Sequence, residues 1–161
     1  MREYNYKKID AFTSEKSLGN PAACIYLEDD QTLTDKEMLN IAKQHKGCVS
    51  EVVFCRKYHE SQFELTYYSS ECEVDLCGHG TIACMYSLIK STPKLLAMDE
   101  LLIYTRKKGA LKVYNKILEQ DAVYISAPKP IFIGTKLSLE LIAQNLGLES
   151  SKLSNKYSVD V

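Results

Sequence analysis

The stretch from Gly78 to Lys90 constrains this chain more than any other. Read as a helix, its Ile82, Ala83, Cys84, Met85, Tyr86, Leu88 and Ile89 leave almost no polar face. A helix that is apolar all round has to be buried all round. The run is also too short to cross a bilayer, which takes about 20 apolar residues. It therefore reads as the central helix of a domain whose sheet wraps it. Thr92-Pro93 closes it, because the residue before a proline is pushed out of the helical region.

The flanking sequence supplies the strands for such a sheet. Residues 4–12 carry Tyr4, Tyr6 and Ile9, and Ala22 to Leu27 is a short apolar run. Val49 to Cys55 and Gln62 to Tyr68 follow, joined by a polar turn over Arg56 to Ser61. Three more strands are expected at Leu101 to Thr105, Leu111 to Tyr114 and Ala122 to Ser126, the first two linked by a hairpin at Lys107-Lys108-Gly109. A surface helix starts after Thr34, where Glu37 completes a capping box, and Gly47 stops it. Pro128-Lys129-Pro130 reads as a boundary. It divides a lobe over residues 1–127 from residues 128–161, which carry a linker, a helix at Ser138 to Leu146 and the start of a strand at Tyr157 to Val161.

The composition narrows the function. Lys plus Arg is 20 and Asp plus Glu is 21, a net charge of −1. Nucleic-acid binders usually show a basic excess or stripe, so that class is set aside. The longest basic run, Arg106-Lys107-Lys108, reads as a solvated hairpin tip. No apolar stretch is long enough for a membrane span, and Met1 to Lys8 has no signal-peptide core. These readings point to a cytoplasmic protein. Its six cysteines then read as reduced thiols. Cys72, Cys77, His79 and Cys84 stand four, one and four residues apart, which matches no common zinc spacing, so no metal is expected.

Two places could carry chemistry. Leu76-Cys77-Gly78-His79-Gly80-Thr81 opens the apolar helix, where unpaired N–H groups and the helix dipole favour an anion. His79 there either meets a carboxylate and moves a proton, or is hydrogen-bonded locally in a capping turn. Cys77 is either a thiol made acidic by the helix start or a buried packing residue. The second place is Glu51, a lone carboxylate opening an apolar strand. Pointing inward, it would be a desolvated acid/base group; pointing outward, a solvated surface residue.

Taken in order, these pieces resemble the PhzF-like family of phenazine-biosynthesis isomerases, within the diaminopimelate-epimerase-like fold. The matching segments are Ile9-Asp10-Ala11-Phe12-Thr13, Gly19-Asn20-Pro21-Ala22-Ala23, Ser50-Glu51-Val52-Val53-Phe54, and Glu73 through Ala83 with Cys77-Gly78-His79-Gly80-Thr81 at its centre. The hairpin from Tyr104 to Val113 also fits. The resemblance implies an α+β fold of two pseudo-symmetric halves. In each, a strongly curved, mainly antiparallel sheet wraps a central apolar helix, and the active site lies in the cleft between halves.

On this resemblance Glu51 would carry a proton between carbons of a small cyclic carboxylate, with His79 beside the substrate. The Gly78 and Gly80 backbone would hold the substrate carboxylate, and Asn20, Thr81 and Cys77 would line the same wall. No metal, pyridoxal phosphate or nucleotide is implied. Cys77 aligns with the catalytic thiol of the epimerase branch, but His79 stands where that branch has Asn, so the isomerase branch fits better. Family members run well beyond 161 residues. The chain therefore reads as an N-terminal half, inactive alone, that works as a homodimer or with a C-terminal half. The competing readings are a Cys77-dependent amino-acid racemase or epimerase, and a non-catalytic half-subunit needing a partner.

Overall fold

The computed structural model of the chain describes residues 3–129, 137–154 and 156. The chain divides into two compact units, Met1–Pro128 and Lys129–Val161. The strand expected at Tyr157 to Val161 lies outside the described residues.

The first unit is built from β1 (Asn5–Ala11), β2 (Asn20–Leu27), α1 (Asp35–Gln44), β3 (Glu51–His59), β4 (Gln62–Ser69), β5 (Glu73–Val74), α2 (Gly78–Ser91), α3 (Pro93–Leu96), β6 (Glu100–Thr105), β7 (Gly109–Lys116), α4 (Ile117–Gln120) and β8 (Ala122–Ile125). The strands form one mixed sheet in the order β1-β2-β3-β4-β6-β7-β8, with β5 paired to β4. Two of its neighbouring pairs, β2–β3 and β4–β6, are parallel, and the others are antiparallel. Parallel neighbours need a crossover connection. α1 lies in the first crossover, and α2 and α3 lie in the second.

The sheet is curled around α2. The helix packs against β1, β2 and β3 and also against β7 and β8. A flat sheet this wide would span about 29 Å at roughly 4.8 Å per strand, too far for a helix about 10 Å across to touch both ends. Tertiary packing thus uses the face-free helix as the sequence requires, with Ala83, Cys84, Met85 and Ile89 buried. The enclosure has a seam. Ile82 and Tyr86 stay half-buried where β1 and β8 face each other, and a cleft of ≈ 550 Å³ lies there, lined in part by Ile9, Ala11, Ile82, Tyr86 and Val123.

Strands β2, β3 and β4 are buried on both faces. Ala22, Cys24, Tyr26, Val53, Cys55, Leu65 and Tyr67 join the core around α2. Ala23, Ile25, Val52, Phe54 and Tyr68 join a second cluster with Met38 and Ala42 of α1. This double burial explains why these strands read as continuous apolar runs. α1 starts with the expected capping box: the Glu37 N–H donates to Thr34 Oγ1 at 3.2 Å and the Thr34 N–H to Glu37 Oε2 at 2.8 Å.

The structure departs from the sequence reading in several places. β3 runs to His59, because its polar end still pairs with β4 through Arg56↔Glu64 and Lys57↔Phe63. Backbone pairing needs no apolar side chain. Pro93 ends α2 but also opens α3, where its fixed φ and missing N–H suit a first helical position. The tip Arg106-Lys107-Lys108 is paired: Arg106 reaches Asp35 at 2.7 Å, and Lys108 reaches Asp75 at 3.3 Å.

In the second unit, Ser138 caps α5 (Leu139–Leu146), and Gly147 at φ +66° ends it. A 3-10 turn follows at Ser150–Lys152. Among the described residues, no helix is long and apolar enough to cross a membrane.

Candidate active site

The sequence left the direction of Glu51 open, and the geometry decides it. Glu51 is the first residue of β3, and strand alternation puts it on the same face as Val53 and Cys55, the face that packs on α2. Its Oε2 lies 3.5 Å from His79 Nε2, with the side chains 21% and 13% exposed. Both are shielded from bulk water yet reachable from it.

The start of α2 brings the other groups in. Cys77 is the N-cap residue, and its Sγ accepts the Gly80 N–H at 3.3 Å. The same sulfur lies 3.3 Å from His79 Nδ1 and 3.7 Å from Glu51 Oε2. Burial pushes the Cys77 thiol up to about 12; the Gly80 N–H works against this, and the neighbouring Glu51 carboxylate adds to it. At neutral pH the sulfur is therefore a thiol, although helix starts usually acidify cysteine. Its desolvation outweighs the helix effect.

Gly80 is needed for this approach. A Cβ there would stand 2.7 Å from Val53 Cγ2 and 2.9 Å from Cys77 Sγ. Without a side chain, the first turn of α2 settles against β3 and carries His79 to Glu51.

Behind the turn runs a buried hydrogen-bond chain that the sequence reading missed. Thr81 Oγ1 donates its only proton to the Cys77 carbonyl at 2.7 Å. The Tyr67 hydroxyl, 2.8 Å away, must then donate to Thr81 Oγ1. Alternation along β4 places Tyr67 with Phe63 and Leu65 on the α2 face, where a buried phenol needs a partner. That was the available signal.

The remaining candidates divide. Gly78 is exposed, and its N–H and that of His79 belong to the helix start, which has no intrahelical acceptor for them. The Gly80 N–H, expected with Gly78 to hold an anion, is engaged by Cys77 Sγ at 3.3 Å. Thr81 is fully buried, with its hydroxyl donating to the Cys77 carbonyl. Asn20 opens β2 next to β3, at the same end of the sheet as Glu51 and on the same alternation face, and it is exposed. Glu51, Cys77 and His79 are absent from the lining of the seam cleft.

For metal ligation, the donor atoms of Glu51, Cys77 and His79 lie within 4.8 Å of one another. Of Cys72, Cys77, His79 and Cys84, weighed together in the sequence, Cys77 and His79 meet, while Cys72 is exposed and Cys84 is in the core.

A curled mixed sheet around an apolar helix, with a carboxylate and an imidazole meeting at the helix start, is a diaminopimelate-epimerase-like α+β fold. A family model described as phenazine biosynthesis-like protein, PhzC-PhzF, matches residues 9–161. The chain belongs to this family. It is 38% identical to an uncharacterized isomerase of Clostridium acetobutylicum, over 100% of this chain and 53% of that protein. The crystal structure of a PhzF-family phenazine biosynthesis protein from Bacillus anthracis superposes with a TM-score of 0.70 at 30% identity, over 99% of this chain and 52% of that one. A predicted epimerase from Pseudomonas aeruginosa shares the fold at a TM-score of 0.71 and 18% identity, over 99% and 55%. The chain thus spans about half the length of each of these proteins.

Proposed function

We propose that this chain carries the acid/base wall of a PhzF-like isomerase, one that moves a proton between carbons of a small cyclic carboxylate. The observation that carries this reading is the pairing of Glu51 Oε2 with His79 Nε2 at 3.5 Å, both groups part-buried at the start of α2. In this reading Glu51 takes a proton from a carbon next to a carboxyl or unsaturated group and returns it elsewhere on the ring. His79 stands beside it as a hydrogen-bond donor to the charge that develops. The separation exceeds a normal hydrogen bond, so the pair is free to engage a substrate rather than each other. The Gly78 and His79 N–H groups, with the α2 dipole behind them, suit a substrate carboxylate.

The name of the Clostridium acetobutylicum relative, an uncharacterized isomerase, supports the reaction class. Cys77 is set aside as the proton-transfer base because burial keeps it a thiol. The opposite wall, and with it full activity, would come from a second half or from a partner copy.

The test is solvent deuterium incorporation by the complete protein into a panel of cyclic carboxylates, followed by NMR. Glu51→Gln should slow exchange about 10²–10⁴-fold, the range for a lost general acid/base. Cys77→Ser should leave most of it, since serine also caps helices. Exchange that survives Glu51→Gln but disappears in Cys77→Ser would establish the thiol-dependent racemase instead. Exchange untouched by either change would sink the acid/base reading altogether.

A further inference from the structure

We propose that Glu51, Cys77 and His79 form a three-residue binding site for a borderline-soft divalent cation, Zn²⁺ foremost. The three side chains bring one carboxylate oxygen, one sulfur and one imidazole nitrogen, each a zinc ligand type, and no cationic side chain belongs to the cluster.

The spacing is that of one face of a tetrahedron. With zinc–sulfur bonds of about 2.3 Å and zinc–nitrogen or zinc–oxygen bonds of about 2.0–2.2 Å, ligand atoms stand about 3.6 Å apart when one is sulfur and about 3.4 Å apart otherwise. Here Cys77 Sγ and Glu51 Oε2 are 3.7 Å apart, and His79 Nε2 and Glu51 Oε2 are 3.5 Å apart. The two imidazole nitrogens lie 3.3 and 4.0 Å from Cys77 Sγ, bracketing the sulfur–nitrogen value, so a small ring rotation completes the face.

A cation among the three groups would replace the Cys77 contacts to Glu51 Oε2 at 3.7 Å and His79 Nδ1 at 3.3 Å, and a carboxylate–imidazole contact that is long for a hydrogen bond. The thiol proton leaves to solvent as the metal–sulfur bond forms. The Gly80 N–H already points at Cys77 Sγ from 3.3 Å, the kind of outer partner that steadies a metal-bound thiolate. Glu51 and His79 keep 21% and 13% of their side chains exposed, leaving a route in and an open fourth position for water.

An ion held there takes up both the carboxylate and the imidazole. It would act as a reversible block on proton transfer rather than as a cofactor. The inference rests on the positions of these three side chains and not on the isomerase reading.

The experiment uses Cd²⁺ as a spectroscopic stand-in, read through its ultraviolet thiolate charge-transfer band, with Zn²⁺ then added to displace it. Cys48 and Cys72 are exposed and would bind Cd²⁺ by themselves, so the background is Cys48→Ser/Cys72→Ser. A band saturating at one equivalent and lost on Zn²⁺ addition is expected. Cys77→Ser should abolish it while circular dichroism shows the fold intact. Glu51→Gln and His79→Gln should each weaken Cd²⁺ binding by about tenfold or more, the loss that even an outer-shell partner can produce. No band in the background protein, a band that survives Cys77→Ser, or unchanged affinity in both Glu51→Gln and His79→Gln would overturn the proposal.

Discussion

Replacing Thr81 by Val tests whether the buried chain behind the helix start holds the site together. The change keeps the side chain's shape and removes one hydroxyl. Thr81 is 0% exposed and Tyr67 is 1% exposed, so no water can take the hydroxyl's place. Two bonds are lost: Tyr67 to Thr81 at 2.8 Å and Thr81 to the Cys77 carbonyl at 2.7 Å. The carbonyl keeps the Thr81 N–H at 2.9 Å, so only the Tyr67 hydroxyl is orphaned. A buried unsatisfied donor costs about 1–3 kcal/mol. With a urea slope of about 2 kcal/mol/M, the unfolding midpoint should fall by about 1 M.

Tyr67→Phe alone leaves Thr81 still donating to Cys77 and should cost about 0.5–1.5 kcal/mol. In the double variant no orphan remains, so its cost should fall short of the sum by about 1 kcal/mol. Equilibrium urea unfolding followed by circular dichroism measures all three. If the losses add to within about 0.5 kcal/mol, the two hydroxyls are not coupled, and the chain of donors argued here is wrong.

Three further outcomes follow from the same geometry. Because burial pushes the Cys77 thiol up to about 12, iodoacetamide at mildly alkaline pH should label exposed Cys48 and Cys72 well before Cys77; peptide mass mapping with equal rates would refute this. Gly80→Ala should cost about 1–3 kcal/mol by overpacking, and Val53→Ala in the same chain should recover part of that loss, giving a non-additive cycle in thermal or urea unfolding. The hydrogen bond from Arg106 holds the Asp35 carboxyl below the usual carboxylate range; its folded value is depressed, so this stabilisation is present above the unfolded carboxylate value and disappears as pH falls through the folded one. Asp35→Asn should therefore flatten the acid limb of the stability–pH curve, and an unchanged limb would count against the pairing.

The fold was legible where one element's chemistry left a single option. A helix with no polar face has to be enclosed, and α2 is enclosed by both ends of the sheet. The capping box at Thr34 and the stop at Gly147 were equally local signals. Pairing order was not legible, because β2, β3 and β4 are apolar on both faces and their periodicity carries no inside or outside. For the same reason the direction of Glu51 was open: its parity with Val53 was readable, but which face met α2 was not.

The site's motif residues stood out as types, yet two of their roles depended on distance. The Gly80 N–H is taken by a sulfur three residues back, and Thr81 is met by Tyr67, 14 residues away on another element. β5 and α4 are too short for any pattern to reveal.

The curl of the sheet around α2 also orders events in time. Among the described residues β1 and β8 are the edge strands, each paired to one neighbour, and the cleft at the seam lies between them. Native opening should start there. Amide hydrogens of β1 and β8 should then exchange through a low-energy partial opening, while those at the centre of β4 wait for the whole unit to unfold.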